Sequence, residues 1–135
     1  MKRVGLLVFA ATVLLVGGWR LAAQGNQANQ TPPPVTEGTL VDGRCYMMNA
    51  GNIGDDHGNT KQCGMACMKS GAPAALLTAD KRLLPIMTYS TAFADIVGQP
   101  VRVTGEVHDG AIRARKVEVN KGGQWQDVKF ATMQK

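Results

Sequence analysis

Three cysteines, Cys45, Cys63 and Cys67, are the residues of this chain best suited to chemistry. A cysteine sulfur can serve as a metal ligand, as half of a disulfide or as a nucleophile, depending on its partners and its protonation. Cys63 and Cys67 are four residues apart, so they share one face if that segment is helical. His57 precedes them in a polar stretch, and four of the seven methionines lie in the same region.

This grouping predicts a tetrahedral metal site with Cys45, Cys63, Cys67 and His57 as ligands. Two thiolates would come from a helix, one from the first strand and the imidazole from a loop, a donor set typical of zinc. The nearby thioethers favour a soft ion such as Cu(I), because soft sulfur ligands select it. The expected cofactor is therefore copper or zinc.

Two other uses of the cysteines stay open at this point. The cysteines of exported proteins usually form disulfides, and the N-terminal sequence described below predicts export. Cys45 bonded to Cys63 or to Cys67 would close a loop worth about 3 kcal/mol in the chain-entropy model and would leave one thiol free. The other use is a thiol redox protein, which would need a reactive thiolate.

A catalytic role for the Asp55-Asp56-His57 loop is disfavoured. His57 would act as a base for a cysteine thiolate, but a third group to orient it cannot be placed. The flanking glycines Gly54 and Gly58 indicate a polar loop. We therefore expect a binding protein and no enzyme.

The N-terminus has the features of a secretory signal peptide. Two basic residues precede an apolar run from Val4 to Val16, and small residues at Ala22 and Ala23 suit cleavage, so residues 1–23 are the predicted signal. Residues 24–36, uncharged and with three prolines near their end, are the predicted disordered linker, and residues 37–135 the folded domain. The expected location is the bacterial periplasm or the secreted fraction. An uncleaved anchor is the alternative, although the apolar stretch is shorter than the roughly 20 residues of a spanning helix.

The net charge of the chain argues against binding to nucleic acid. The whole chain carries a formal charge of +5, but removal of the signal leaves twelve basic and ten acidic residues. Such a weak balance does not suit binding to a phosphate backbone. The expected partner is a metal ion or an envelope protein, with no stable membrane span after signal cleavage.

The clearest structural pattern is a hairpin from Val101 to Val119. Two alternating runs flank Asp109-Gly110, a dipeptide typical of two-residue hairpin turns. The apolar phase slips once in the second run, which predicts a β-bulge near Arg115-Lys116. The resulting register predicts two cross-strand ion pairs, Glu106 with Arg113 and Arg102 with Glu118.

The remaining elements are predicted from shorter patterns. A second hairpin is expected over Ala75–Thr88, with Pro85 on an edge strand because proline cannot donate to a ladder. Other expected elements are a strand at Gly38–Asp42 resuming at Cys45–Met48, a helix from Asn59 or Thr60 to Ser70, a short helix from Ser90 to Val97, and a further strand at Trp125–Phe130.

This order predicts a mainly β domain: a five-stranded, OB-fold-like Greek-key barrel. A short helix would lie between strands 3 and 4, and a Cys-bearing helical insertion between strands 1 and 2. Over residues 37–119 the chain resembles small exported bacterial OB-fold-like proteins of unknown function that carry a Cys…Cys-x3-Cys insertion. The matching segments are Gly38–Asp42, Cys45-Tyr46, Cys63–Cys67, Gly71–Pro73, Leu76-Leu77 and Gly98–Val107. The resemblance implies the fold and no established activity.

Overall fold

The computed structural model describes residues 31–132, which form one antiparallel sheet with short helices at its margin. The predicted signal, residues 1–23, and most of the predicted linker lie outside the described residues. In chain order the elements are β1 (Val35–Asp42), α1 (Gly43–Met48), α2 (Cys63–Lys69), β2 (Ala74–Leu77), β3 (Leu83–Pro85), a 3-10 helix (Ser90–Ile96), β4 (Pro100–His108), β5 (Ala111–Lys121) and β6 (Gln124–Val128). No helix within residues 31–132 is long and apolar enough to cross a membrane.

The sheet has six strands in the order β3-β2-β1-β4-β5-β6, so the mainly β class is confirmed. The sixth strand, β6, makes the count one higher than the five expected for the barrel, and the paired strands form an open sheet. One isolated parallel bridge joins Ile86, just after β3, to Ile112 in β5. The positions of both helical segments are as predicted, because the cysteine helices lie between β1 and β2 and the 3-10 helix between β3 and β4.

The β4–β5 hairpin has the predicted register, with Val107 opposite Ile112 and Val103 opposite Val117. The predicted bulge is present, because Thr104 pairs with Lys116 and Gly105 with Ala114, which leaves Arg115 as the extra residue. The bulge redirects Arg115 and gives it the salt bridge to Glu106, at 2.6 Å, that the sequence had assigned to Arg113. The predicted ion pair between Arg113 and Glu106 is therefore wrong.

The second predicted ion pair is present and is bidentate. Arg102 donates from Nε and Nη2 to the two carboxylate oxygens of Glu118, at 2.7 and 2.8 Å. The same carboxylate forms a salt bridge with Lys116 Nζ at 2.9 Å. The Arg102 guanidinium lies 4.7 Å from the centre of the Trp125 ring. Arg102 and Lys116 lower the pKa of Glu118 to about 2, and the hydrogen bonds from Arg102 are the largest cause.

Acid unfolding gives a test of this network. The folded-state pKa of Glu118 lies below its ordinary value, so its stabilising effect is complete above about pH 4.5 and is lost as the pH falls toward about 2. Glu118→Gln should therefore lower stability at neutral pH and flatten the pH dependence of unfolding in that window. Urea unfolding at several pH values between 2 and 6 measures this. An equal pH dependence in both proteins would contradict the assignment.

The main core lies on one face of the sheet, and α2 contributes to it. Leu40 of β1, Met68 of α2 and Phe93 of the 3-10 helix are completely buried there, and the Phe93 ring centre lies 5.4 Å from that of Phe130. Val41, the next residue of β1, points to a smaller second cluster that Tyr46 of α1 joins. The cysteine segment is therefore packed against both faces of β1, because neighbouring strand residues alternate between faces.

Candidate metal centre

The sulfur atoms of Cys45, Cys63 and Cys67 converge at the end of β1, all within 4.8 Å of one another. Cys45 Sγ and Cys67 Sγ are 3.8 Å apart. This separation is far longer than the roughly 2.05 Å of a disulfide bond. It matches the spacing of about 3.8 Å between two sulfurs that each lie about 2.3 Å from one tetrahedral ion.

All three cysteines are thiols in this structure, so the alternative that the sequence left open, a disulfide from Cys45 to Cys63 or Cys67, is not formed. Cys45 is buried, whereas Cys63 and Cys67 are half-buried. The cluster is therefore buried on the side of Cys45 and partly accessible to solvent on the side of Cys63 and Cys67. An ion can approach it from the side of α2.

Cys45 lies in a short helix and not in a strand. The sequence predicted that β1 would resume at Cys45–Met48, and this is wrong, because α1 spans Gly43–Met48. Asp42 explains the difference: its Oδ1 accepts from the backbone N–H groups of Arg44 and Cys45, at 2.9 and 3.1 Å. Aspartate is a preferred N-cap residue, so the chain turns into a helix where the strand ends.

The second helix, α2, begins at Cys63, later than the Asn59 or Thr60 start that the sequence indicated. Its N-cap position is Gln62, which has a left-handed backbone (φ 53°) and no side-chain capping bond. Asp55 replaces the missing cap from ten residues upstream. Its Oδ1 accepts from Met65 N at 2.7 Å, and its backbone carbonyl accepts from Gly64 N at 2.9 Å. Cys63 and Cys67 lie on this helix four residues apart, as predicted.

His57 lies outside the sulfur cluster. Its Nε2 is 3.0 Å from the carbonyl oxygen of Gly54, and its backbone forms a two-way bridge with Thr60. The side chain is 9% exposed, and its Nδ1 has no hydrogen-bond partner among the described residues. The structure thus brings together three of the four predicted ligands, and His57 packs within its own loop.

The acidic residues beside His57 are also used within the loop. Asp55 caps α2, and Asp56 accepts from Gln62 N at 2.9 Å and forms a salt bridge with Lys61 at 2.7 Å. The Lys61 ammonium holds the pKa of Asp56 below its ordinary value. These bonds give the 54–62 segment a defined shape against α2.

Asp55 and Asp42 are the two residues of the site whose roles the sequence analysis missed. The residue type gave a usable signal at Asp42, because an Asp-Gly pair at a strand end is also a helix N-cap pattern. No local pattern indicated Asp55, since its capping partners Gly64 and Met65 are nine and ten residues away.

The thiol pKa values reflect burial and a nearby carboxylate. Desolvation raises the pKa of Cys45 to about 12, and the nearby Asp42 and Cys67 side chains add to the effect. Desolvation also raises the pKa of Cys67. Both thiols are therefore protonated at neutral pH without an ion, and a bound cation would displace their protons.

Gly64 allows α2 to approach the loop and the core closely. A Cβ atom at Gly64 would lie 2.9 Å from Val97 Cγ1 and 3.2 Å from the carbonyl oxygen of Gly54. Gly98, with φ +78°, makes a similar contact, since its added Cβ would lie 2.9 Å from Gly54 Cα. Glycine at these two positions lets the loop, α2 and the segment before β4 meet.

Gly64→Ala should push α2 away from Val97 and Gly54 and separate Cys63 from Cys45. Overpacking of this kind costs about 1–3 kcal/mol, and we expect a loss of stability in that range. Gly54→Ala is the matched control, because a Cβ there meets no atom within 4 Å. Urea unfolding of both variants measures the effect. Equal stability of Gly64→Ala and the wild type would contradict the close packing.

Comparisons of this chain with protein-family models, curated proteins and solved structures return no match.

Proposed function

We propose that this protein is a small binding module that holds one soft metal ion, Cu(I) or Zn(II), between Cys45, Cys63 and Cys67. The observation that carries the proposal is the convergence of all three sulfurs within 4.8 Å. Thiolates are the ligands that select Cu(I) and zinc. Three protein ligands suit a three-coordinate Cu(I) ion or a zinc ion with one further ligand.

The raised pKa values of Cys45 and Cys67 do not favour a redox role for these two thiols. Thiol–disulfide exchange requires an attacking thiolate, and reactive cysteines have lowered pKa values. Here the pKa values of Cys45 and Cys67 are raised. A metal ion also binds the thiolates, but it displaces the thiol protons as it binds, so its affinity for the cluster should fall as the pH is lowered.

We also propose that the protein acts in the bacterial envelope and that its sheet closes as an OB-fold-like barrel. The N-terminal pattern of a basic start, an apolar run and small residues supports export. The parallel bridge between Ile86 and Ile112, with Met87 N donating to Ile112 O at 2.9 Å, supports closure between β3 and β5. The mass of the protein isolated from the periplasm tests export, since cleavage after Ala23 fixes the expected value.

Metal uptake by the reduced, chelator-stripped protein tests the function. Zn(II) and, under anaerobic conditions, Cu(I) should be titrated in competition with chromogenic chelators. We expect one ion per chain, with protection of up to three thiols from alkylation until a chelator is added. The variant with all three cysteines replaced by serine is the control and should take up no ion.

Two results would overturn the proposal. One is the absence of stoichiometric uptake of either ion by the wild type. The other is a thiol count that does not change when the chelator is added. An envelope protein-binding adaptor would then be the better description, with the cysteines serving the fold alone.

A further inference from the structure

Asp42 carries a buried carboxylate that the α1 cap uses only in part. The residue is completely buried. Its Oδ1 accepts from two backbone N–H groups, but its Oδ2 has no hydrogen-bond partner among residues 31–132. Leaving a buried carboxylate oxygen unpaired is costly, so such an atom calls for an explanation.

The carboxylate lies beside the sulfur cluster, on the side of Cys45. Its Oδ1 accepts from the backbone N–H of Cys45 at 3.1 Å, so the carboxylate is hydrogen-bonded to the residue that supplies the buried sulfur. It is not one of the ligand atoms that lie within 4.8 Å of one another. Asp42 therefore places a buried carboxyl group next to the cluster without being one of its ligands.

We infer that Asp42 determines the specificity of the cluster and makes it favour a divalent ion over a monovalent one. The inference rests on the proposed metal site and adds the class of ion. Three thiolates around a monovalent ion leave two negative charges, whereas around a divalent ion they leave one. A neighbouring carboxylate in a poorly solvated site repels the first complex about twice as strongly as the second.

Asp42→Asn is the direct test, because asparagine is also a good N-cap and nearly the same size. The affinities of the purified protein for Zn(II) and Cu(I) should be measured by chelator competition. We expect the ratio of the Zn(II) affinity to the Cu(I) affinity to fall at least about tenfold, since one unit charge near the site is removed. Asp42→Ser, a smaller neutral N-cap, should give the same direction if the amide disturbs folding. Asp109→Asn, at an exposed turn, is the control for net charge and should leave the ratio unchanged.

The outcomes separate the two claims. If the wild type binds either ion and the ratio is unchanged in both Asp42 variants, the inference is wrong and the metal site stands. If the wild type binds neither ion, the proposed function fails first and the inference fails with it. A fall in the ratio for the Asp42 variants, with no change in Asp109→Asn, supports the specificity role.

Discussion

Cys45→Ser should weaken metal binding more than about 100-fold, because it removes the buried ligand of the cluster. Even residues that only support a ligand are worth about 10- to 100-fold in affinity, so loss of a ligand should cost more. Cys45 is the buried member of the three and sits 3.8 Å from Cys67. Serine is close in size to cysteine, so the fold should be retained. Chelator competition with Zn(II) and Cu(I) measures the loss.

His57→Asn is the control that separates the three-sulfur site from the set of four ligands indicated by the sequence. The imidazole is bonded to the Gly54 carbonyl and is not one of the converging ligand atoms. We expect His57→Asn to lower the metal affinity at least about tenfold less than Cys45→Ser does, because loss of a ligand costs more than loss of a supporting residue. Equal losses in the two variants would mean that His57 is a ligand and that the loop rearranges on binding.

Metal binding should stabilise the folded protein strongly, since the three ligands join two separate helices, α1 and α2. An ion present at 1,000 times its dissociation constant adds about 4 kcal/mol to the free energy of unfolding when only the folded state binds it. For a domain of this size that corresponds to a rise of more than about 10 °C in Tm. Thermal unfolding of the reduced protein with and without Zn(II) measures the change, and a chelator should reverse it.

The site of stabilisation can be mapped as well as its size. Amide hydrogen exchange should slow most in Gly43–Met48 and Cys63–Lys69, the two helices that carry the sulfurs. The cysteine-free variant is the control and should gain no stability from the ion. A rise in Tm of the same size in that variant would place the binding elsewhere.

The strand pairings were predictable because they follow from local patterns. Alternation fixed which residues of β4 and β5 face the core, the Asp109-Gly110 turn fixed their register, and the phase slip located the bulge at Arg115. Pro85 was correctly placed on an edge strand, because β3 lies at one end of the sheet. Each of these inferences uses residues that are neighbours in sequence or paired through one turn.

The geometry of the site was harder to predict from the sequence because it depends on contacts between distant residues. The sequence indicated that the cysteines lie together, but the α1 helix requires the Asp42 side chain to turn back on Arg44 and Cys45. The α2 start depends on Asp55, and His57 was assigned to the site from its residue type alone. A histidine in a polar loop can hydrogen-bond within that loop, as His57 Nε2 does with the Gly54 carbonyl oxygen.

Anomalous diffraction from crystals of the zinc-loaded protein is the most direct measurement of the central claim. We expect one zinc peak at the end of β1, about 2.3 Å from each of the three cysteine sulfurs. A zinc-loaded crystal with no peak there, or with Cys45 and Cys67 joined in a disulfide, would contradict it.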